Sequence, residues 1–127
     1  MQYKVIAPLA ISVSKNKKFS INFNTYRNAH YQTLNKAKIN YANYMKDQIA
    51  TLPFFNKIKV EHIVFFGSNR LFDLDNIVSV SSKFFNDALV KHGKLIDDNY
   101  QYVTGVSVSF GGVDKNKPRV EIVITEV

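Results

Sequence analysis

The chain has 127 residues, 46% of them hydrophobic and 21% charged, which suits one folded domain and excludes a disordered or low-complexity protein. With no cysteine, disulfides, thiolate zinc sites and a cysteine nucleophile are excluded, and the composition fits a reducing compartment. The net charge of +7 is uneven: residues 1–72 carry eleven basic and two acidic residues, while the rest carry six and eight.

In chain order, residues 3–14 are apolar and β-branched and read as a strand, at a sheet edge near Pro8. Lys15, Asn16, Lys17 and Lys18 form a basic turn, and residues 19–31 read as extended. A helical period follows in Leu34, Ala37, Tyr41, Met45, Ile49 and Leu52, capped by Thr33 or Asn35 and stopped by Pro53. Residues 57–66 alternate as a strand with Ile58, Val60, Val64 and Phe66 on one face, and His62 shares that face. A second helix is expected from about Asn76 to His92, with Ile77, Val80, Phe84 and Ala88 as its apolar stripe and Gly93 as its stop. Two alternating segments, 100–110 and 119–127, flank the turn-rich GGVDKNKP and predict an antiparallel hairpin. The order β-α-β-α-β-β, with no repeat or linker, predicts one α+β domain over residues 1–127, a mixed sheet with helices on one face. No apolar run reaches the ~18 residues of a membrane span, and a soluble, unexported, cytoplasmic protein is expected.

The chemistry-bearing residues are acidic. Asp73 and Asp75 flank Leu74 where a strand gives way to a helix; in extended backbone both carboxylates face one way. Capping explains one of them but not both. Asp97 and Asp98 form a second pair after the second helix, and a polar loop cap is their plain explanation. If that helix runs back along its strand it carries the chain about 25 Å from Asp73, so the pairs meet only if the chain recrosses the sheet after Gly93. Such carboxylates suit a hard divalent cation, and the basic half suits a polyanion; solubility charge and turn aspartates account for the same composition without function. His30, His62 and His92 have no metal spacing, and there is no phosphate loop or GxGxxG, so no nucleotide cofactor is expected.

Asp73-Leu74-Asp75-Asn76, a helix containing Asp87-Ala88-Leu89, then Gly93 and Leu95-Ile96-Asp97-Asp98 resemble, in order and context, the RusA family of Holliday-junction resolvases, endodeoxyribonucleases common in phages and prophages. The likeness extends along most of the chain: KIKVEHIVFF corresponds to the strand before the motif, VSVSF and VEIVITEV to a closing hairpin, and FSINFNTYR more loosely to an N-terminal loop. It implies a RusA-like fold, a homodimer, and magnesium-dependent cutting of branched DNA in a bacterial host cell, with manganese as a substitute ion. Asp73 and Asp75 are then metal ligands, Asp98 the third essential carboxylate and Asp97 a weaker ligand.

The resemblance also implies a helix lysine, one turn after the acidic motif and four residues before the Asp-Ala-Leu aspartate. Lys83 meets the second condition, but the first falls on Ser79, as though about one helical turn were added. The family's basic run before the motif is thinned to Arg70 within Ser68–Phe72, which shifts the expected DNA contacts to Lys15, Lys17, Lys18, Arg27, Lys36 and Lys38 as well. Among the aromatic residues, Phe54, Phe55 and Tyr26 are candidates for the dimer contact or the open centre of a junction. Two other classes remain: a metal-dependent nuclease for flaps or RNA, and a non-catalytic basic nucleic-acid-binding phage protein.

Overall fold

In the computed structural model, which describes residues 1–127, Pro8 divides the first apolar stretch into β1 (Gln2–Ala7) and β2 (Ala10–Ser14). The basic turn is shorter than expected, because Lys17 and Lys18 open β3 (Lys17–Ser20), which pairs with β2 as a separate hairpin. The segment read as extended contains a short helix, α1 (Phe23–Asn28), whose start is fixed by Asn22 Oδ1 accepting from the Thr25 amide at 2.8 Å. Six residues are too few for a helical period to register in sequence.

Helix α2 (Tyr31–Ala50) begins earlier than Thr33 or Asn35 would allow, with His30 Nδ1 accepting from the Gln32 amide at 3.2 Å. Its expected stripe is buried through Ala37, Tyr41, Met45 and Ile49. The strand β4 (Ile58–Phe66) buries Ile58, Val60, His62, Val64 and Phe66, and α3 (Leu74–Lys91) buries Ile77, Val80, Phe84 and Ala88 with Phe85 and Leu89 beside them. Gly93, at φ +74°, ends α3: the Lys94 amide donates to the Leu89 carbonyl and the Gly93 amide to that of Val90, an αL stop natural to glycine. The chain finishes with β5 (Val103–Val113) and β6 (Arg119–Glu126).

The fold is α+β with a mixed four-stranded sheet in the order β1-β6-β4-β5. The expected β5–β6 hairpin does not form: β4 lies between them, antiparallel to β6 and parallel to β5. β4 and β6 bury a residue at every second position, all apolar but His62, and so take the centre, whereas β5 presents Ser and Gly on one face and half-covered valines on the other and takes the edge. The β4-α3-β5 crossover then supplies the parallel pair. A single cluster of 28 buried hydrophobic residues fills the space between the sheet and the helices. The opposite sheet face is polar, tied by Lys4 to Glu121 at 3.1 Å and by Arg119 to Glu121 and Asp114 at 2.8 and 2.9 Å. No helix is long and apolar enough to cross a membrane.

Candidate metal and nucleic-acid site at the start of helix α3

The chain leaves β4 at Phe66, turns through Gly67–Phe72, and enters α3 at Leu74, so Asp73 is the N-cap residue and Asp75 lies in the first turn. The helix thus starts two residues earlier than expected, and the Asp73–Asp75 step is not fully extended. Leu74 packs against the core while both aspartates are exposed. Asp73 makes no side-chain capping bond, and neither carboxylate forms an ion pair with the protein. Two anionic groups at a helix N-terminus gain about 0.3–1 kcal/mol each from the dipole, which accounts for their tolerance there. It leaves their oxygens free. Asn76 is committed elsewhere, its Oδ1 accepting from the Phe23 amide at 3.1 Å and tying α1 to α3.

Beside the pair lie two depressions. One, of about 350 Å³, is walled by Phe66, Phe72, Phe110 and Val113. Phe66 stacks on Phe72 with ring centroids 4.7 Å apart and planes 11° from parallel, and Phe110 stands 6.2 Å from Phe66. The Arg70 guanidinium sits 5.5 Å above Phe72. The second, a polar cleft of about 470 Å³, is lined by Asn22, Asn24, Ser68, Arg70 and Asn76 between α1 and the β4–α3 turn. Lys17 and Lys18 border a neighbouring groove on the far side of α1 with Asn24 and Asn28, and Arg27 is exposed on α1 itself.

Asp98 is far from this pair. The chain after Gly93 does not recross the sheet but runs to the opening of β5, and Asp98 lies against Asp87, fourteen residues after Asp73 and so about 21 Å along the helix. Partial burial, followed by the nearby Asp87 and Asp97 carboxylates, raises the Asp98 pKa above the usual carboxylate range. Asp97 is occupied locally, accepting from the Asp98 amide at 2.8 Å and from Asn99 Nδ2 at 3.1 Å. The magnesium set implied by the resemblance, Asp73, Asp75, Asp97 and Asp98, is therefore not assembled in one chain; no three acidic or histidine side chains gather at metal-binding range.

Lys83 is exposed on α3 between the two acidic groups, about 15 Å along the helix from Asp73, and has no ion-pair partner. Of the other basic residues, Lys38 is 3.8 Å from Asp87, while Lys15 and Lys36 are exposed away from the cleft-lining set. Phe55 is 1% exposed, packed against Tyr3, and is unavailable to a partner; Tyr26 is half-buried on the core, and Phe54 remains exposed. Phe72 and Phe110 carry no signal of function in the sequence pattern alone. Phe72 stands directly before Asp73, and Phe110 joins it only through the parallel β4–β5 pairing.

No protein-family model matches the chain, and no curated protein is significantly similar to it.

Proposed function

We propose that the protein is a magnesium-dependent, structure-specific endodeoxyribonuclease that cuts four-way DNA junctions as a homodimer. The observation that carries this reading is the pair of exposed carboxylates, Asp73 and Asp75, free of ion-pair partners beside a cleft lined by Arg70 and by polar side chains. Hard oxygen donors with no competing cation fit magnesium, which takes one or two carboxylates and fills its remaining positions with water and phosphate oxygen. Bound there, the ion supplies charge to the scissile phosphate and acidifies a water molecule.

The chain's own residues do the rest. Arg70, Lys17, Lys18 and Arg27 bind backbone phosphates without reading sequence. Phe72, 43% exposed but stacked on Phe66 with the Arg70 guanidinium over its ring, offers an apolar edge beside that guanidinium to an unstacked base. Two-fold symmetry of a four-way junction calls for two sites in a symmetric dimer.

The test is cleavage of a labelled four-way junction beside matched duplex, flap and RNA substrates, with magnesium, with EDTA, and with Asp75→Asn. Paired symmetric nicks that need the metal and vanish in the variant support the reading. Cutting of flaps or RNA alone replaces the substrate, and junction binding without cleavage under magnesium or manganese leaves a non-catalytic binding protein.

A further inference from the structure

Two asparagines on the walls of the polar cleft beside Asp73 and Asp75 have their oxygens taken by the backbone. Asn22 Oδ1 accepts from the Thr25 amide at 2.8 Å and Asn76 Oδ1 from the Phe23 amide at 3.1 Å. A backbone N–H only donates, so each side chain is fixed the same way round, with its NH2 group as the half left over. Neither Nδ2 donates to the protein, and both residues are half-buried. Phe23 follows Asn22 in the chain, so the bond from its amide to Asn76 sets the two side chains next to one another.

The rest of the lining separates two kinds of ligand. No aspartate, glutamate or lysine lines the cleft; the one charge is Arg70, and Leu9, Ile21, Phe72 and Ile77 supply apolar walls. A phosphate is held better in the neighbouring groove, where Lys17 and Lys18 stand. Uncharged donors between apolar walls, in about 470 Å³, suit a flat neutral ring that carries acceptors.

We infer that this cleft is a base-reading subsite, which takes one unstacked nucleobase and selects guanine through the Asn22 and Asn76 amides. Two fixed donors call for two neighbouring acceptors with no donor on the same edge. Guanine presents such an edge as O6 and N7, whereas adenine sets an amino donor beside N7, thymine offers there a single acceptor and cytosine only a donor. Arg70 keeps its phosphate contact. Asn76 directly follows Asp75, so the base read lies close to the phosphate held at the acidic pair. That place in the reaction rests on the nuclease reading; binding of the base does not.

The first test needs no cutting. In EDTA, the full chain is titrated with thymine-tract oligonucleotides carrying one central guanine, adenine or cytosine, and the side-chain NH2 signals of Asn22 and Asn76 are followed by heteronuclear NMR. The guanine oligonucleotide is expected to bind about tenfold more tightly than the adenine one and to move both signals. Asn22→Asp and Asn76→Asp keep the oxygen that each backbone amide needs and lose the donor, so the fold stays while the guanine-to-adenine ratio falls towards one. The added negative charge weakens every oligonucleotide alike, which is why the ratio is the readout. Lys18→Ala is expected to lower all affinities and leave the ratio unchanged. Equal affinities for guanine and adenine, selection of another base, or a guanine preference that survives both Asp variants overturns the subsite. Junctions that differ only in the base beside the cut then place it in the reaction: faster cleavage with guanine, lost in Asn76→Asp, is expected, and cleavage indifferent to that base overturns the placement. A wild type that cuts nothing yet selects guanine in EDTA ends the nuclease reading and keeps the base-reading cleft; cleavage with no selectivity in binding does the reverse.

Discussion

His62 Nδ1 lies 3.0 Å from Ser81 Oγ, joining β4 to α3 in the middle of the core, and its Nε2 has no hydrogen-bond partner. Burial lowers the His62 pKa from 6.5 to about 4, because an imidazolium there loses its hydration. A folded-state pKa below the unfolded value means that the unfolded chain takes up the proton first. Stability is therefore complete above pH 6.5 and declines as pH falls towards 4, by up to ~3 kcal/mol. Thermal melts at intervals between pH 7 and 4 measure the slope. Replacing the pair together, with His62→Leu and Ser81→Ala, is expected to flatten it; an equally steep profile in the double variant assigns acid sensitivity to other groups.

Glycines in this chain differ in what they tolerate. Gly93 has no atom within 4 Å of an added Cβ, so Gly93→Ala meets only the cost of φ +74°. That is about 1 kcal/mol, or roughly 4 °C in Tm for a chain of this size. At Gly111 an added Cβ lies 2.6 Å from Phe65 Cζ and 2.8 Å from Ile63 Cγ2, and Arg119 stacks 4.0 Å from the centre of that Phe65 ring. Gly111→Ala is expected to cost more than Gly93→Ala, about 1–3 kcal/mol. Parallel denaturant titrations of the two variants give the order.

Gln48 is the one side chain that holds both backbone groups of Ile6 on the outer edge of β1. Gln48→Ala leaves a part-buried amide and carbonyl to water and is expected to cost ~1–2 kcal/mol. Gln48→Glu keeps the acceptor for the Ile6 amide but removes the donor to its carbonyl, so its loss is expected to be comparable at neutral pH. Urea midpoints measure both; a neutral Gln48→Ala means that β1 is held by β6 alone.

What the sequence made legible was local. Alternation along residues 58–66 and the Ile77, Val80, Phe84, Ala88 stripe marked β4 and α3 because each buries one face against the same core. The β5–β6 pairing was misjudged because closeness in sequence favours a hairpin, whereas the sheet is settled by which strand needs neighbours on both sides. The acidic pairs were visible as residues. Their separation was not, since it follows from the direction the chain takes after Gly93, which no short-range pattern encodes. Phe110 beside Phe72 is likewise a product of strand order.

Asp98 carries opposite expectations for stability and for activity. Its carboxyl is held near Asp87 and Asp97, and no basic side chain pairs with it. Lys38 lies 3.8 Å from Asp87 instead. Asp98→Asn removes one of three clustered negative charges and is expected to leave Tm unchanged or raise it slightly, by less than ~0.5 kcal/mol after solvent screening. Lys38→Met removes the positive charge paired with Asp87 and is expected to lower Tm by a similar small amount, and the double variant should lie close to the wild type if the two act through the same cluster. A residue kept for folding would show the reverse sign on Asp98→Asn. Gain of stability together with loss of junction cleavage in that single variant is the pattern of a charge held against its own repulsion for function, and it is read by one melting curve and one cleavage assay on the same preparation.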